Sequence, residues 1–225
     1  MKRSNFSDGT RPVPGSSGRK HPGGTRRNVK NLKIRLLGDP VLCAKAKPVE
    51  VIDDSVRELS AQMIQAMYDN NGIGLAGNQV GVLQRIVVIH VEPAEDKDGH
   101  AIPPDSPGEQ VLLPKMPVTL INPEIVSFSE DTCAYEEGCL SVPKLYADVV
   151  RSRRIVLKSM LLDGSSILLE CGGLLARCVQ HELDHLDGVV FVQRAEEEGY
   201  RAIEPGIRKM IRKGGYRNFT VRRLV

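Results

Sequence analysis

The chain has 225 residues, 41% of them hydrophobic and 4% aromatic with no Trp, which suffices for one domain with extensions around a core of Leu, Ile, Val and Met. Its apolar runs, such as 85–91, fall far short of the ~20 residues a bilayer span needs, no secretory signal is evident, and five cysteines at irregular spacing do not read as a disulfide framework. The net charge of +3 is small, but it is unevenly spread.

Residues 1–30 hold eight Lys or Arg against the single acid Asp8, and twelve Gly, Pro or Ser. Such a segment cannot bury enough apolar surface to order itself, so it reads as a basic leader or linker. It resembles a transit peptide only in being basic and poor in acids. The folded domain is expected over 31–199. Ser55-Val-Arg-Glu58 has the pattern of a capping box. Val56, Leu59, Met63, Ala66 and Met67 continue at helical spacing to a stop at Asn70-Asn71-Gly72. A Gly-rich turn at 72–81 leads to a β-branched strand at 85–91. Residues 92–117, with six prolines, read as a long surface loop, either a lid or an inert insertion.

Further strands are expected at Val118–Asn122, Ile125–Phe128, Ile155–Leu161 and Ile167–Glu170, the last two joined by a turn at Asp163-Gly164. A second helix is expected from about Gly173 to Leu186, closed by Asp187-Gly188. A third helical stretch is expected near Ala195–Ala202, and Pro205 interrupts it. The extension 200–225 again holds eight cations against one acid, Glu204. The two ends together carry +14, which leaves −11 on 31–199. Basic ends on an acidic body suit a polyanion such as ribosomal RNA, without sequence-specific nucleic-acid binding; solvated tails are the plainer reading. Strands and helices do not alternate regularly, so the fold class is α+β.

Within the second helix, His181-Glu-Leu-Asp-His185 places two imidazoles one turn apart on one face. That spacing suits Zn²⁺ or Fe²⁺. Glu182 can reach a water on that ion as a general base, since the ion lowers the pKa of water from about 15.7 to about 7. Without a cation, the cluster of Glu182, Asp184 and Asp187 beside two histidines would be costly to bury against Leu183 and Leu186. Candidates for a third ligand are Glu196, Glu197 and Glu198 downstream, as in a zincin-like metallopeptidase, or Cys139 upstream in Glu137-Gly-Cys-Leu-Ser141. Cys178 reads as a small buried hydrophobe, as do Cys43, Cys133 and Cys171.

Three segments together resemble peptide deformylase: Gly72-Ile-Gly-Leu-Ala-Gly-Asn-Gln-Val-Gly81, Glu137-Gly-Cys-Leu-Ser141 and His181-Glu-Leu-Asp-His185. Leu37-Gly-Asp-Pro-Val-Leu42, Ile121-Asn-Pro-Glu124 and Ala176-Arg177 agree with the same family, and the resemblance covers about residues 32–194. It implies antiparallel β-sheets packed around a central helix that carries the HExxH motif, and removal of the formyl group from N-formylmethionyl nascent chains. It implies Cys139, His181 and His185 as metal ligands, with Fe²⁺ as the native ion and Zn²⁺, Ni²⁺ or Co²⁺ accepted in its place. Glu182 becomes the general base and acid, and the Gln79 amide and Leu140 N–H become oxyanion donors. Ile73 and Gly74 would pair with the substrate backbone. Cys178 either lines the methionine pocket or packs in the core, and Arg151 pairs with Glu137 to hold the cysteine segment. The compartment implied is the bacterial cytoplasm, or an organelle if 1–30 is a transit peptide.

The sequence also departs from that family. Gly77 and Asn78 stand where Ala and then Pro or Thr are usual, and Gly77 is expected to loosen the turn that presents Gln79. Lys144, Leu145 and Tyr146 occupy a stretch where a Gly or an arginine is common, and the 92–117 segment is longer than in compact members. A non-catalytic RNA-binding protein with a structural metal is the remaining alternative, but it has no use for Glu182 or Gln79.

Overall fold

The computed structural model describes residues 32–215 and 220–224, so the leader expected at 1–30 and part of the C-terminal extension lie outside the described residues. The described residues form four α-helices, α1 (Asp54–Asp69), α2 (Pro107–Leu112), α3 (Gly173–Leu186) and α4 (Glu197–Lys213). Its strands are β1 (Gly74–Ala76), β2 (Ile86–Ile89), β3 (Val118–Phe128), β4 (Thr132–Cys139), β5 (Val142–Ser152), β6 (Ile155–Met160) and β7 (Ser166–Cys171). Among the described residues these strands all pair antiparallel, in one sheet ordered β1-β2-β3-β6-β7 and a separate β4–β5 hairpin. The fold is therefore α+β, a mixture of helices and antiparallel sheet.

α3 is buried from Leu175 to Leu186. It packs on β1, β2 and β3 on one side and on β5 on the other. Leu175, Ala176, Val179, Leu183 and Leu186 join Val87, Ile89, Leu120 and Leu157 in the main core. α1 covers the opposite face of β2, where Met63 and Met67 pack with Ile86 and Val88. Since neighbouring residues of a strand face opposite ways, a four-residue strand buried on both sides reads as a continuous apolar run.

Several expected elements shift. α1 is capped by Asp53, whose carboxylate accepts from Val56 N at 3.1 Å, while Ser55 Oγ donates to Asp53 at 2.6 Å. A full negative charge at the helix N-terminus outranks a hydroxyl two residues later. The two strands expected over 118–128 are one strand with bulges after Ile121 and Ile125; Asn122 there has φ +50° and its side chain brackets Val49 through two hydrogen bonds. Residues 107–115 are helical and not loop: Ser106 caps α2, and α2 lies on β7 so closely that a Cβ on Gly108 would come 2.4 Å from Cys171 Sγ. β7 is the sheet edge farthest from β1, so this half of the insertion covers no groove beside β1.

β4 and β5 escape the hydrophobic pattern because the inward face of the hairpin carries Glu137 and Arg151 as well as Ala147 and Val149. α4 is not interrupted by Pro205. Ile203, Ile207 and Ile211 recur every four residues and pack on Val142, Ala147, Val149 and Phe191, and that burial outweighs the hydrogen bond that the proline removes.

Pro205 is exposed within a continuous helix, so Pro205→Ala restores a backbone donor and should raise unfolding free energy by roughly 2 kcal/mol after unfolded-state entropy is allowed for. Urea denaturation with an unchanged m-value checks this; no gain in the midpoint would mean that the helix ends before Pro205.

Candidate active site

Alternation along β4 turns Glu137 and Cys139 to the same face, towards α3. There Cys139 Sγ comes 3.2 Å from His185 Nε2, and Cys139, His181 and His185 each offer a ligand atom within 4.8 Å of the others. His181 Nδ1 meets Glu137 Oε2 at 2.9 Å, which leaves Nε2 for the cluster. The Cys, His, His donor set suits a divalent transition metal, and its geometry fits one: two ring nitrogens and a sulfur converge on one point. Burial holds the His185 imidazole well below its ordinary pKa, whereas for His181 the hydrogen bonds with Cys139 and Glu137 outweigh burial and hold it well above.

Glu137 binds more than His181. It accepts from Arg151 at 2.6 and 3.0 Å and from Arg177 at 2.7 Å. Burial disfavours its charge, but the hydrogen bonds and charges of His181 and Arg151 prevail and hold its carboxyl well below the usual carboxylate range. Arg151 reaches on to Asp184 at 2.9 Å, and Arg194 grips Asp184 with two bonds of 2.7 Å. Arg177 also donates to the carbonyls of Val149 and Cys133, so it ties α3 to both strands of the hairpin. The Arg151–Glu137 pair stands as expected. Arg177, Asp184 and Arg194 were not foreseen in these roles; a charged residue at every third or fourth position of a helix otherwise apolar enough to be buried was the available signal.

Glu182 is 4% exposed, and its Oε2 has no hydrogen-bond partner. Burial pushes its carboxyl up to about 7. The carboxylate lies against β1: a Cβ on Gly74 would sit 2.4 Å from Glu182 Oε1 and 2.8 Å from Cys178 Sγ. Only glycine fits there. Ile73 beside it is half exposed, its carbonyl taken by His90 N at 2.8 Å, and β1 forms an edge of its sheet with one side unpaired among the described residues. Cys178 is buried with Sγ 3.7 Å from the Ile73 carbonyl, and burial pushes its thiol well above the ordinary range.

Gln79 lies in the 3-10 turn Gly77–Val80. Its Oε1 accepts from Ala76 N at 2.8 Å, which turns Nε2 to Cys139 Sγ at 3.4 Å and Ser141 Oγ at 3.3 Å. Leu140 forms the tip between β4 and β5 and reaches Gly72, where its Cδ1 would be 2.7 Å from an added Cβ. The expectation that Gly77 loosens this turn is reversed: a Cβ on Gly77 would come 2.7 Å from the carbonyl oxygens of both Val82 and Gln84, so the backbone is wedged there. The downstream acids take no part in the cluster; Glu197 pairs with Arg201 and Arg223. Tyr146 lies across Gly138, outside the cluster, and Lys144 has φ +65°.

Comparisons with known proteins show the family. The family model for polypeptide deformylase matches residues 31–200. A peptide deformylase 2 of Gloeobacter violaceus is 47% identical over 74% of this chain and 80% of its own length. The crystal structure of a Synechococcus elongatus peptide deformylase in complex with actinonin superposes with a TM-score of 0.63 at 37% identity, covering 82% of this chain and 88% of that one. A plant peptide deformylase structure gives a TM-score of 0.68 at 32% identity over 81% and 90% of the two chains. The chain belongs to the peptide deformylase family.

Because Glu137 fixes the tautomer and direction of His181, Glu137→Gln should weaken Zn²⁺ binding by about 10- to 100-fold, read by competition against a chromogenic chelator. It also takes the carboxylate charge away from buried Arg177 and leaves Arg151 with Asp184 alone, and the unfolding free energy should fall by about 3–5 kcal/mol. Unchanged metal affinity would show that His181 is oriented by something else.

Proposed function

We propose that this protein hydrolyses the formamide at the N-terminus of newly made proteins, releasing formate and a free methionine amine. The observation that carries this reading is the meeting of Cys139, His181 and His185 with Glu182, whose buried Oε2 has no partner, and the Gln79 amide. Cys139, His181 and His185 would hold one divalent ion, Fe²⁺ in the cell and Zn²⁺, Ni²⁺ or Co²⁺ in purified material. Bound there, the ion supplies Lewis acidity that makes water a nucleophile near neutral pH.

The chain's own groups do the rest. Glu182 takes a proton from the attacking water and returns it to the departing amine as the formyl C–N bond breaks; an environment that raises its pKa matches that exchange. As charge develops on the formyl oxygen, Gln79 Nε2 and the Leu140 N–H donate to it. The peptide enters as an added strand on the free edge of β1, with Ile73 and Gly74 as its partners. Gly74 lets that strand approach the Glu182 carboxylate, and Cys178 helps to form the apolar wall for the methionine side chain. Both the site and the family match lie within 31–200, with 1–30 as a leader and 200–225 as an extension. The basic ends would bring the enzyme to the ribosome by a salt-sensitive contact. Its compartment is the bacterial cytoplasm, or an organelle where the leader acts as a transit peptide. No helix of the described residues is long and apolar enough to cross a membrane.

Offered a formyl-Met-Ala-Ser peptide anaerobically with Fe²⁺, the protein should release formate, and the absence of formate would overturn the reading. Glu182→Gln should retain the ion while turnover falls by at least about 10²-fold. Cys139→Ala should lose ion and turnover together, whereas a metallopeptidase of the zincin kind would keep both and cut internal peptide bonds.

A further inference from the structure

Asn78 departs from the family pattern and is fully buried beside Gln79. Its Nδ2 donates to the Ala44 carbonyl at 2.6 Å and to the Val41 carbonyl at 3.4 Å. Its Oδ1 is buried without a partner. Rotating the amide by half a turn would set Oδ1 against the Ala44 carbonyl, so the two acceptors fix the orientation. A buried amide that leaves its own oxygen unpaired is a poor choice for stability alone.

The segment that Asn78 grips runs over 35–46, and three of its backbone N–H groups reach the elements that build the site. Arg35 N donates to the Gln79 carbonyl at 2.7 Å, and Leu37 N donates to the Ser141 carbonyl at 2.9 Å. Ser141 Oγ is in turn 3.3 Å from Gln79 Nε2. Ala46 N donates to the carbonyl of Leu186, at the end of the helix that bears His181 and His185. Asn78 thus closes a ring that passes through the strap, the Cys139–Ser141 tip and back to Gln79. The absence of a side chain at Gly77 is what allows the turn to press against Val82 and Gln84 while Asn78 reaches the strap.

We infer that Asn78 is a positioning residue for this reaction: it locks the strap to the Gln79 turn and so aims the Gln79 amide at the developing oxyanion. The inference rests on the role proposed for Gln79. A group that acts only in the transition state lowers kcat when it is misplaced, with little effect on KM. Asn78→Ala should therefore lower kcat by about 10- to 100-fold, with KM within about twofold of wild type and with full metal loading. Gln79→Ala should cost about 10²- to 10³-fold.

The deciding measurement is the double variant in the metal-replete enzyme. If Asn78 acts through Gln79, Asn78→Ala combined with Gln79→Ala should be no slower than Gln79→Ala alone. A loss from Asn78→Ala that persists in full on the Gln79→Ala background, or an unchanged kcat in the single variant, would overturn the inference and leave the role of Gln79 standing. An unchanged kcat in Gln79→Ala would instead remove the role of Gln79 itself. Should the Ala variant not fold, Asn78→Thr, which keeps side-chain volume but has no amide donor, makes the same comparison with the same two outcomes.

Discussion

The buried carboxylate of Glu137 is the constraint on which the rest of the site depends. An ion this deeply buried costs several kcal/mol unless it is surrounded by donors, and Glu137, itself on β4, finds them on two other elements, taking Arg151 from β5 and Arg177 and His181 from α3. Satisfying one charge therefore fastens the hairpin to the helix. Cys139 lies two residues further along the same face of β4, so the same fastening delivers the sulfur to the two imidazoles. Asp184 extends the lattice by taking the remaining arm of Arg151 and the whole fork of Arg194. Every charge in this lattice meets an opposite one, and that is the condition under which a polar interior rigidifies a fold.

On the other side of α3, the constraint is space. Glu182 occupies the volume that a side chain at position 74 would need, and the strand beside it is short and at an edge. Edge strands with open hydrogen-bonding groups ordinarily invite unwanted pairing. Here the open edge lies beside the candidate chemistry, and it suits a substrate whose backbone can be read as one more strand. Gln79 and the Cys139–Ser141 tip approach the cluster from a third direction, set by the strap at 35–46.

What could be read in the sequence was whatever repeats with the period of an element. α3 was legible because His181 and His185 lie one turn apart on a helix whose remaining positions are largely apolar, and because Gly188 closes it with φ +78°. The β4–β5 hairpin was not, since its inward positions mix Ala147 and Val149 with Glu137 and Arg151, and alternation is lost when a charge lattice replaces apolar packing. α4 was cut short by a propensity argument at Pro205 that three buried isoleucines override. Asp53 took the cap from Ser55 because charge counts at a helix N-terminus. Gly77 looked like freedom in one dimension and proved to be a close approach in three.

The central claim is that the β4–β5 hairpin supplies the third ligand. X-ray absorption at the metal edge of the zinc-loaded protein tests it most directly. One sulfur at about 2.3 Å together with two nitrogens at about 2.0–2.1 Å is the expected first shell. A shell of nitrogen and oxygen alone, with the Cys139 thiol free to react with alkylating agents while the metal stays bound, would contradict it.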